Sequence, residues 1–453
     1  MGQSHSTKSG GETEDFAMYL TDQEAESLDK MLGTETEESL AGQLSKLQNH
    51  VSHTLPSEIV KGIILSLQVR CNNASKTSGQ VLKQEICKMI FGYQNDRISF
   101  VYDVLSFDNS SVPILTFEKF IIGLIKLLLN HASSHIFGVD DVSCHQFFES
   151  AVSYRENIKK NDFLSLIQNS SVLAELISVG TRFLFLGTFK SVTSDMQGSV
   201  PCLLPNIELL PHHALASTNT LLDTSHVVYL NSKLPVDLQS KWRFLYSSRL
   251  QGESFSKLST QIANKGPLLI LVKDQGGHVF GGFVPTDLSY GSQFQGTPHS
   301  FLFTIAPSLN IFTTTGYNDH YVYFNIRQET MPNGFGMGGQ HEYFGLWLSS
   351  EFGKGHSKAK PTCTTYKSPQ LSSSEEFLID TVEAWGLGEE PQEENMDSDE
   401  DGMTSVIDKN PEAVAILQIA GKERVSEGYR ESERTTTMPE TTELHQPRDP
   451  MDY

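Results

Sequence analysis

The chain has 453 residues, of which 38% are hydrophobic, 34 are Lys or Arg and 55 are Asp or Glu. This length and apolar fraction indicate two or three globular domains. The net charge of −21 argues against a nucleic-acid-binding protein and against broad attachment to anionic lipid, because both need a basic surface. The charge lies at the ends: residues 1–50 carry −7, residues 389–453 carry −12, and residues 51–388 carry −2.

Membrane spans, a secretory leader and disulfides are not expected. No stretch reaches about 18 uninterrupted apolar residues, and the first 20 residues are polar. The cysteines are odd in number, widely spaced and without a CxxC motif, which is typical of reduced thiols in a cytosolic protein. They are Cys71, Cys87, Cys144, Cys202 and Cys363.

The N-terminus resembles a lipidation signal. Gly2 follows Met1 and Ser6 stands at the sixth position, which fits the N-myristoylation pattern, although a start that is flexible over residues 1–16 could match by chance. One myristoyl chain gives only marginal membrane binding. Lys8 is the only basic residue before Lys30, so a second anchor would have to be a protein.

The pattern is mostly helical as far as residue 218. Thr21 and Glu24 predict a capping box that opens the first helix. We assign residues 17–135 to a helical domain and residues 136–218 to a helical connecting region.

One segment of the helical domain retains part of an EF-hand loop. Gly79, Val81 and Glu85 stand at the sixth, eighth and twelfth places. Ala74 and Lys76 stand at the first and third places, where calcium requires oxygen ligands. This loop therefore predicts the helices of an EF-hand without its metal.

A second segment is degenerate in the same way. Ile114 and Glu118 fit the eighth and twelfth places, but the first is Phe107 and the sixth is Val112. Glu85 and Glu118 are 33 residues apart, which suits a pair of EF-hand-like units packed together. We therefore predict a degenerate EF-hand-like domain with no metal; a calcium sensor is the disfavoured alternative.

After residue 218 the periodicity changes to that of strands. Leu268–Val272 and Val279–Val284 flank a turn at residues 274–277 and predict a β-hairpin. Further short runs predict a two-layer antiparallel sandwich. They are Phe301–Ile305, Ile311–Thr315, Tyr321–Ile326, Tyr343–Leu348 and Phe377–Trp385. The fold class is thus α+β, with a helical first half and a β-sandwich.

Two helices are predicted to interrupt these strands. The first is centred on Leu238, Trp242 and Leu245. The second begins after Ser254 and ends before Gly266. Its apolar face consists of Phe255, Leu258 and Ile262.

Seven phrases in this region resemble the TLDc domain family, in order, over residues 219–388. They are Trp242–Ser248, Gly252–Phe255, Gly266–Pro267, Val279–Phe283, Thr315–Tyr321, Gly336–His341 and Gly345–Trp347. So many separated matches make the resemblance specific.

The resemblance implies a binding protein. TLDc proteins associate with the vacuolar proton pump, the V-ATPase. Together with the N-terminal signal and the helical half, the resemblance implies partners in the soluble sector of that pump and in mTOR signalling. It implies a place on the cytoplasmic face of the lysosomal membrane, with a cytosolic pool. The family is also described as protective against oxidation, without agreed catalytic residues.

The possible catalytic motifs are weak. The run Gly334–Gly339 lacks the Lys and Ser/Thr of a P-loop and predicts tight turns between strands. Histidines in this region could form a metal site only if folding brought them together, and hydrogen-bonded structural histidines are the favoured interpretation. They are His278, His320, His341 and His356. Adjacent residues of a strand point to opposite faces, so the side chains of Asp319 and His320 are not expected to reach the same site. The same argument applies to His341 and Glu342.

Cys363 is the residue on which a redox-protective enzyme would depend, together with the histidines. Lys358 and Lys360 precede it in the sequence and are the cations that could activate its thiol. This enzyme is the alternative to a non-enzymatic adaptor without a cofactor.

The C-terminal region predicts an acidic linker over residues 389–409, a helix within 410–434 and a disordered tail over 435–453. Asn410 and Pro411 are typical of a helix start. The helix either packs on the chain's own domains or binds a partner through an apolar face. The proposed partner-binding residues are Val414, Ile416, Leu417 and Ala420.

Overall fold

The structure of the chain is a computed structural model that describes residues 16–33, 39–72, 78–106, 110–131, 137–154, 156–186, 202–209 and 220–391. The helices in these ranges are α1 Asp22–Leu32, α2 Leu40–Ser52, α3 Ser57–Asn72, α4 Ser78–Phe91, α5 Gln94–Ser106, α6 Ile114–His131, α7 Asp141–Ala151, α8 Lys160–Asn169, α9 Ser171–Leu186, α10 Thr224–Asn231, α11 Ser248–Gln251 and α12 Phe255–Ile262. The strands are β1 Asn206–Glu208, β2 Lys241–Ser247, β3 Leu268–Asp274, β4 Val279–Val284, β5 Gly291–Gln295, β6 Phe301–Ala306, β7 Asn310–Thr313, β8 Val322–Asn325, β9 Gly334–Gln340, β10 Tyr343–Ser349, β11 Lys354–His356 and β12 Glu376–Leu387. This order confirms the predicted α+β class.

The first helix begins with the predicted capping box. The Glu24 N–H donates to Thr21 Oγ1 at 3.3 Å, and the Thr21 N–H donates to the Glu24 carboxylate at 3.0 Å. These bonds satisfy two backbone donors that a helix start otherwise leaves open. Arg182 of α9 also donates to Glu24, with Nη2 2.5 Å from Oε1. The cap of the first helix is therefore fixed to the ninth.

Helices α5 to α8 form two helix–loop–helix units whose loops are joined. Val112 lies between α5 and α6, and Ile158 lies between α7 and α8. Their backbones form an antiparallel bridge with N–O distances of 2.8 and 2.9 Å. The EF-hand pattern in the sequence identified the first of these units but not the second.

The strands form one hydrogen-bonded sheet that is folded into two layers. One path through it runs β5–β8–β9–β10–β11–β12–β3–β4–β6–β7, and β2 joins β12 and β1. All these pairs are antiparallel except β1 and β2. The start of β12 pairs with β11 and its remainder pairs with β3 and β2, so this strand belongs to both layers. Leu302, Met337 and Leu346 from the two layers share one apolar core, as expected for the predicted sandwich.

Strand β3 lies between two apolar cores. Leu268, Ile270 and Val272 belong to the core between the sheet layers, whereas Leu269 and Leu271 belong to the core that contains the helices. All five are at most 1% exposed. Successive side chains of a strand point to opposite faces, and both faces of β3 are buried in an apolar core. The strand is therefore apolar throughout. The helices and the sheet are therefore packed together through a continuous core.

The predicted hairpin and one predicted helix are confirmed. Strands β3 and β4 pair directly. Helix α12 begins after Ser254, whose Oγ accepts a hydrogen bond from the Lys257 N–H at 3.3 Å.

The helix predicted around Leu238, Trp242 and Leu245 is wrong. Trp242 and Leu245 lie on β2, and Leu238 ends a short 3-10 helix, Val236–Leu238. Every residue of β2 after Lys241 is buried. The apolar spacing there reflects burial on both faces of a strand and not a helical period.

The tight turns predicted for the glycine-rich run are also wrong, because Gly334–Gln340 is strand β9. A Cβ atom on Gly336 would lie 2.6 Å from Phe344 Cδ1. Glycine is present because an aromatic ring lies directly on the backbone of the strand. Only Gly338 and Gly339, with φ of 70° and 80°, have a backbone that other residues rarely adopt.

Within the described ranges no single helix has the length and hydropathy of a membrane span. Helices α8 and α9 reach that threshold only as a pair, and they bend by 97° at their junction. Phe163, Ile167 and Leu173 of this pair are buried in the protein core.

Candidate functional site

Three segments of the sheet region meet in space, and the first two of them carry family-like phrases. We call them the loop cluster, defined as Thr315–Tyr321, Gly338–Tyr343 and Cys363–Tyr366. The first lies between β7 and β8, the second joins β9 to β10, and the third lies between β11 and β12. The topology therefore gathers residues that are up to 51 positions apart in the chain.

Thr365 holds the loop cluster together and is fully buried. Its hydroxyl accepts a hydrogen bond from the Gly339 N–H at 2.9 Å and donates to Asn318 Oδ1 at 2.8 Å. Its backbone carbonyl accepts a hydrogen bond from the Thr315 N–H at 2.8 Å. One residue thus connects all three segments.

His320 and His341 lie on the same aromatic ring. The His320 ring stacks on Phe294 at 4.3 Å between centroids, and the His341 ring lies 5.3 Å from Phe294. Both histidines lie outside the strands, in the connections before β8 and between β9 and β10, so strand alternation does not separate them. His320 Nδ1 also lies 2.6 Å from the Gly339 carbonyl oxygen.

The aromatic packing continues from the loop cluster to His356. The Phe344 and Trp347 rings stack at 4.6 Å, and the Trp347 and His356 rings are 6.0 Å apart. We call this set the aromatic–histidine face. Its members are Phe294, His320, Tyr323, His341, Phe344, Trp347 and His356.

The histidines differ in their hydrogen bonding. His278 and His320 each bond a backbone carbonyl, as predicted for structural histidines. His341 Nδ1 and His356 Nε2 are buried and have no partner among the described residues. Burial lowers the pKa of His356 to about 4, with a further decrease from Lys358 and an opposing effect of Glu375. His356 is therefore neutral at pH 7.

A metal centre is not assembled in the described residues, where no three His, Cys, Asp or Glu side chains form a group that could hold an ion. The EF-hand-like glutamates are engaged elsewhere. Glu85 lies 3.9 Å from Arg70, and Glu118 lies 2.5 Å from His145. Both glutamates lie inside helices, α4 and α6, and not at the end of an open loop.

Cys363 is 4% exposed and packs in the core between the sheet layers. A thiol needs solvent access and a nearby cation to react as a nucleophile. Lys358 and Lys360 instead form ion pairs with Glu376 and Glu375. The structure thus gives no support to the redox alternative.

The solvent side of the loop cluster is aromatic and acidic. Tyr317 is 80% exposed and Tyr343 is 58% exposed. Asp319 and Glu342 are exposed beside them, and among the described residues neither forms an ion pair. Exposed tyrosines are enriched where proteins bind one another. This arrangement is suited to binding a protein surface.

Two buried charged residues of the sheet were missed by the sequence analysis. Arg243 donates from Nε to the Gly388 carbonyl at 3.1 Å and from Nη2 to the Lys265 carbonyl at 2.7 Å. Glu383 accepts hydrogen bonds from Thr220 Oγ1 at 2.7 Å and the Leu221 N–H at 3.1 Å. Burial raises the pKa of Glu383. In the sequence, each of these two residues could have been recognised as a charged side chain flanked by apolar residues of a strand.

The other predicted site residues lie outside the described residues. They are Gly2 of the lipidation signal and Val414, Ile416, Leu417 and Ala420 of the C-terminal helix. The acidic linker after residue 391 lies outside them as well. These assignments stay predictions.

Comparison with known proteins identifies the sheet region. Residues 215–388 match the model of the TLDc domain. This match includes every strand from β2 to β12 and the whole loop cluster.

Three relatives extend the comparison. A Xenopus laevis protein named MTOR-associated protein MEAK7 is 34% identical over 94% of this chain and 98% of its own length. Proteins of the same name from Gallus gallus and Homo sapiens are 53% and 50% identical over 47% of this chain. The latter two matches span less than half of each relative, 44% and 46%. Because the Xenopus match includes the helical half as well as the sheet, the chain belongs to the TLDc-domain family, in the group that this full-length relative represents.

Proposed function

We propose that the chain is a non-enzymatic adaptor that binds the V-ATPase and supports mTOR signalling at the cytoplasmic face of the lysosomal membrane. The TLDc domain and the predicted helix of residues 410–434 contact the soluble sector of the pump. Myristate on Gly2 adds weak, reversible attachment to the membrane, which leaves a cytosolic pool.

The observation that carries this proposal is the alignment of 94% of the chain with a relative whose name describes it as mTOR-associated. Because the alignment covers both the helical half and the TLDc domain, we propose an mTOR-related partner for this chain as well. The choice of the V-ATPase rests on the resemblance to TLDc proteins.

The loop cluster is the proposed contact surface of the TLDc domain. Tyr317 and Tyr343 supply exposed aromatic area, and Asp319 and Glu342 supply negative charge. This combination favours a partner surface that carries Lys or Arg beside an apolar area, because opposite charges orient two proteins as they meet. The buried Cys363 has no part in such an interaction.

Affinity purification of the V-ATPase with the full-length chain tests this function. Tyr317→Ala combined with Tyr343→Ala should lower pump recovery, and Ile416→Asp combined with Leu417→Asp should lower it independently. Tyr93→Ala is a matched control, because Tyr93 is 68% exposed but lies between α4 and α5 in the helical half. Absence of the pump from the wild-type sample would refute the function. Undiminished recovery with a double variant would refute the corresponding contact.

Cell fractionation tests the membrane attachment. Gly2→Ala removes the acylation site and should shift the protein from the lysosomal to the cytosolic fraction. Retention equal to wild type would remove the acyl chain from the proposal without affecting the pump contacts.

A peroxide assay tests the absence of enzyme activity. The purified chain should not consume peroxide with common thiol reductants. Turnover that is lost in Cys363→Ser would instead establish the redox alternative.

A further inference from the structure

The segment before α1 carries an exposed apolar surface that is separate from the loop cluster. Phe16–Tyr19 forms a 3-10 turn in which no residue is buried. Met18 is 75% exposed and Tyr19 is 54% exposed. We call these two side chains the N-terminal patch. Because Met and Tyr are enriched where proteins bind one another, the patch is a candidate contact surface.

The N-terminal patch is held in place by aromatic packing. The Phe16 and Tyr19 rings are 6.3 Å apart, and the Tyr19 ring lies 6.2 Å from the ring of Phe91, the last residue of α4. The capping box of α1 begins two residues after Tyr19 and fixes the other end of the turn. A surface that is already ordered loses little conformational entropy when it binds a partner.

The sequence around the N-terminal patch is acidic. Residues 12–26 contain six Asp or Glu residues and no Lys or Arg. One of the six, Glu24, is buried and paired with Arg182. Asp22 and Glu26 are exposed. An anionic lipid surface repels such a segment, whereas a partner that carries Lys or Arg attracts it.

The N-terminal patch also lies close to the predicted lipidation site. Met18 follows Gly2 by 16 positions, so the chain between them spans at most about 55 Å. One myristoyl chain binds membranes only marginally and needs a second contact for stable attachment. Integral membrane proteins carry an excess of Lys and Arg in the cytoplasmic segments next to their membrane helices. A partner of this chemistry is within reach of the acyl chain and complements the acidic surroundings of the patch.

We propose that the N-terminal patch binds a basic, amphipathic juxtamembrane segment of an integral membrane protein. Met18 and Tyr19 contact the apolar side of this segment, and Asp22 and Glu26 attract its Lys or Arg residues. The place of the contact at the membrane rests on the proposed acylation of Gly2, but the contact itself does not. It is also independent of the proposed partner of the loop cluster.

Methionine-methyl NMR of the full-length, unacylated chain tests this proposal, because the Met18 methyl signal reports on the patch alone. The probes are a synthetic amphipathic helix of Leu and Lys about 18 residues long, the same helix with Glu in place of Lys, and phosphatidylcholine vesicles. The Leu–Lys helix should shift the Met18 signal with a Kd of about 100 μM or below, and the other two probes should leave it unchanged. An unchanged signal with the Leu–Lys helix would overturn the proposal. An equal response to the Leu–Glu helix or to the vesicles would overturn it as well.

Variants connect the binding of the Leu–Lys helix to the N-terminal patch, with folding checked by circular dichroism. Tyr19→Ser removes a large apolar contact and should weaken binding about fivefold or more. Asp22→Asn combined with Glu26→Gln should weaken binding and reduce its dependence on salt. Leu65→Ser combined with Val69→Ser is the matched control, because these side chains are 43% and 58% exposed on α3 and should not contribute. Wild-type affinity in both patch variants, or an equal loss in the control, would overturn the proposal.

Discussion

Asn318 and Thr365 are joined by a 2.8 Å hydrogen bond although 47 positions separate them in the sequence. The Thr365 hydroxyl also accepts the Gly339 N–H, so its donor and one acceptor position are both used. A buried hydroxyl with two partners is a precise positional constraint. These hydrogen bonds explain how segments that are far apart in the sequence form one surface.

Replacement of this hydroxyl should destabilise the loop cluster. Thr365→Val keeps the shape of the side chain but leaves the Gly339 N–H without its acceptor. The expected loss is about 1–3 kcal/mol in the free energy of unfolding. Urea denaturation of wild type and variant measures it. Thr362→Val, at an exposed position nearby, should have an effect below about 0.5 kcal/mol. Equal stability of the Thr365 variant and wild type would contradict the assigned role.

Gly336 should not tolerate a methyl group. In Gly336→Ala the new Cβ atom would lie 2.6 Å from Phe344 Cδ1, so the ring or strand β9 must move. Overpacking of this kind costs about 1–3 kcal/mol. Thermal denaturation should show a lower melting temperature. Gly291→Ala is the control, since nothing lies within 4 Å of its added Cβ atom. A similar change in both variants would contradict the packing argument.

The ion pair of Glu24 and Arg182 should stabilise the contact between α1 and α9. Glu24 is 5% exposed, so Arg182→Ala leaves a buried carboxylate without its counter-charge. A cost of about 3 kcal/mol in unfolding free energy is expected at pH 7. Chemical denaturation measures this loss. Lys119→Ala is a control, because its ion pair with Glu58 is half exposed and should contribute less than about 1 kcal/mol.

The same pair predicts an acid-sensitive contribution to stability. Burial raises the pKa of Glu24, but the Thr21 N–H and Arg182 lower it by more, so the net pKa lies below its usual value. The stabilisation is therefore present above the unfolded pKa of about 4.3 and is lost as the pH falls through the lower folded pKa. Denaturation of Glu24→Gln between pH 6 and pH 3 should show a smaller decrease in stability than wild type. Parallel curves would contradict this assignment.

His356 should make the fold less stable at mildly acidic pH. Its folded pKa is about 4 against 6.5 for an unperturbed histidine, chiefly because of burial. The unfolded chain then binds a proton between these values while the folded chain does not, so stability falls as the pH decreases from 6.5 to 4. His356→Gln should reduce this decrease when unfolding is measured across the window.

His299→Gln is the control for that series, because His299 is exposed and lies in the connection before β6. It should leave the pH dependence close to that of wild type. NMR titration of the His356 ring offers a direct measurement, and a titration midpoint near 6.5 would contradict the role assigned to burial.

The elements that could be predicted from the sequence are those with a single dominant signal. Val279–Val284 is apolar throughout and follows a glycine turn, and Ser254 starts an amphipathic helix. In both cases the local preference and the tertiary environment agree. The TLDc phrases contain two of the three segments of the loop cluster, but the third segment and the contact through Thr365 depend on long-range pairing.

The elements that could not be predicted are those in which packing overrides local preference. Gly336 lies in a strand because Phe344 covers its backbone, a contact that no local pattern contains. Trp242 and Leu245 lie on a strand buried on both faces, which removes the alternation that identifies most strands. Arg97 and Glu175 line one cavity of the helical half although they are 78 positions apart in the chain.

The position of β12 has a consequence for synthesis of the chain. Among the described residues it is the last strand to leave the ribosome, yet it pairs with β11, β2 and β3. Domains form from the N-terminus as they are made, but here neither sheet layer is complete until Glu376–Leu387 has emerged. Until then the edges of β2, β3 and β11 that pair with β12 are open to pairing with other chains. A nascent chain that stalls before residue 376 would therefore expose three unpaired strand edges and depend on chaperones to prevent aggregation.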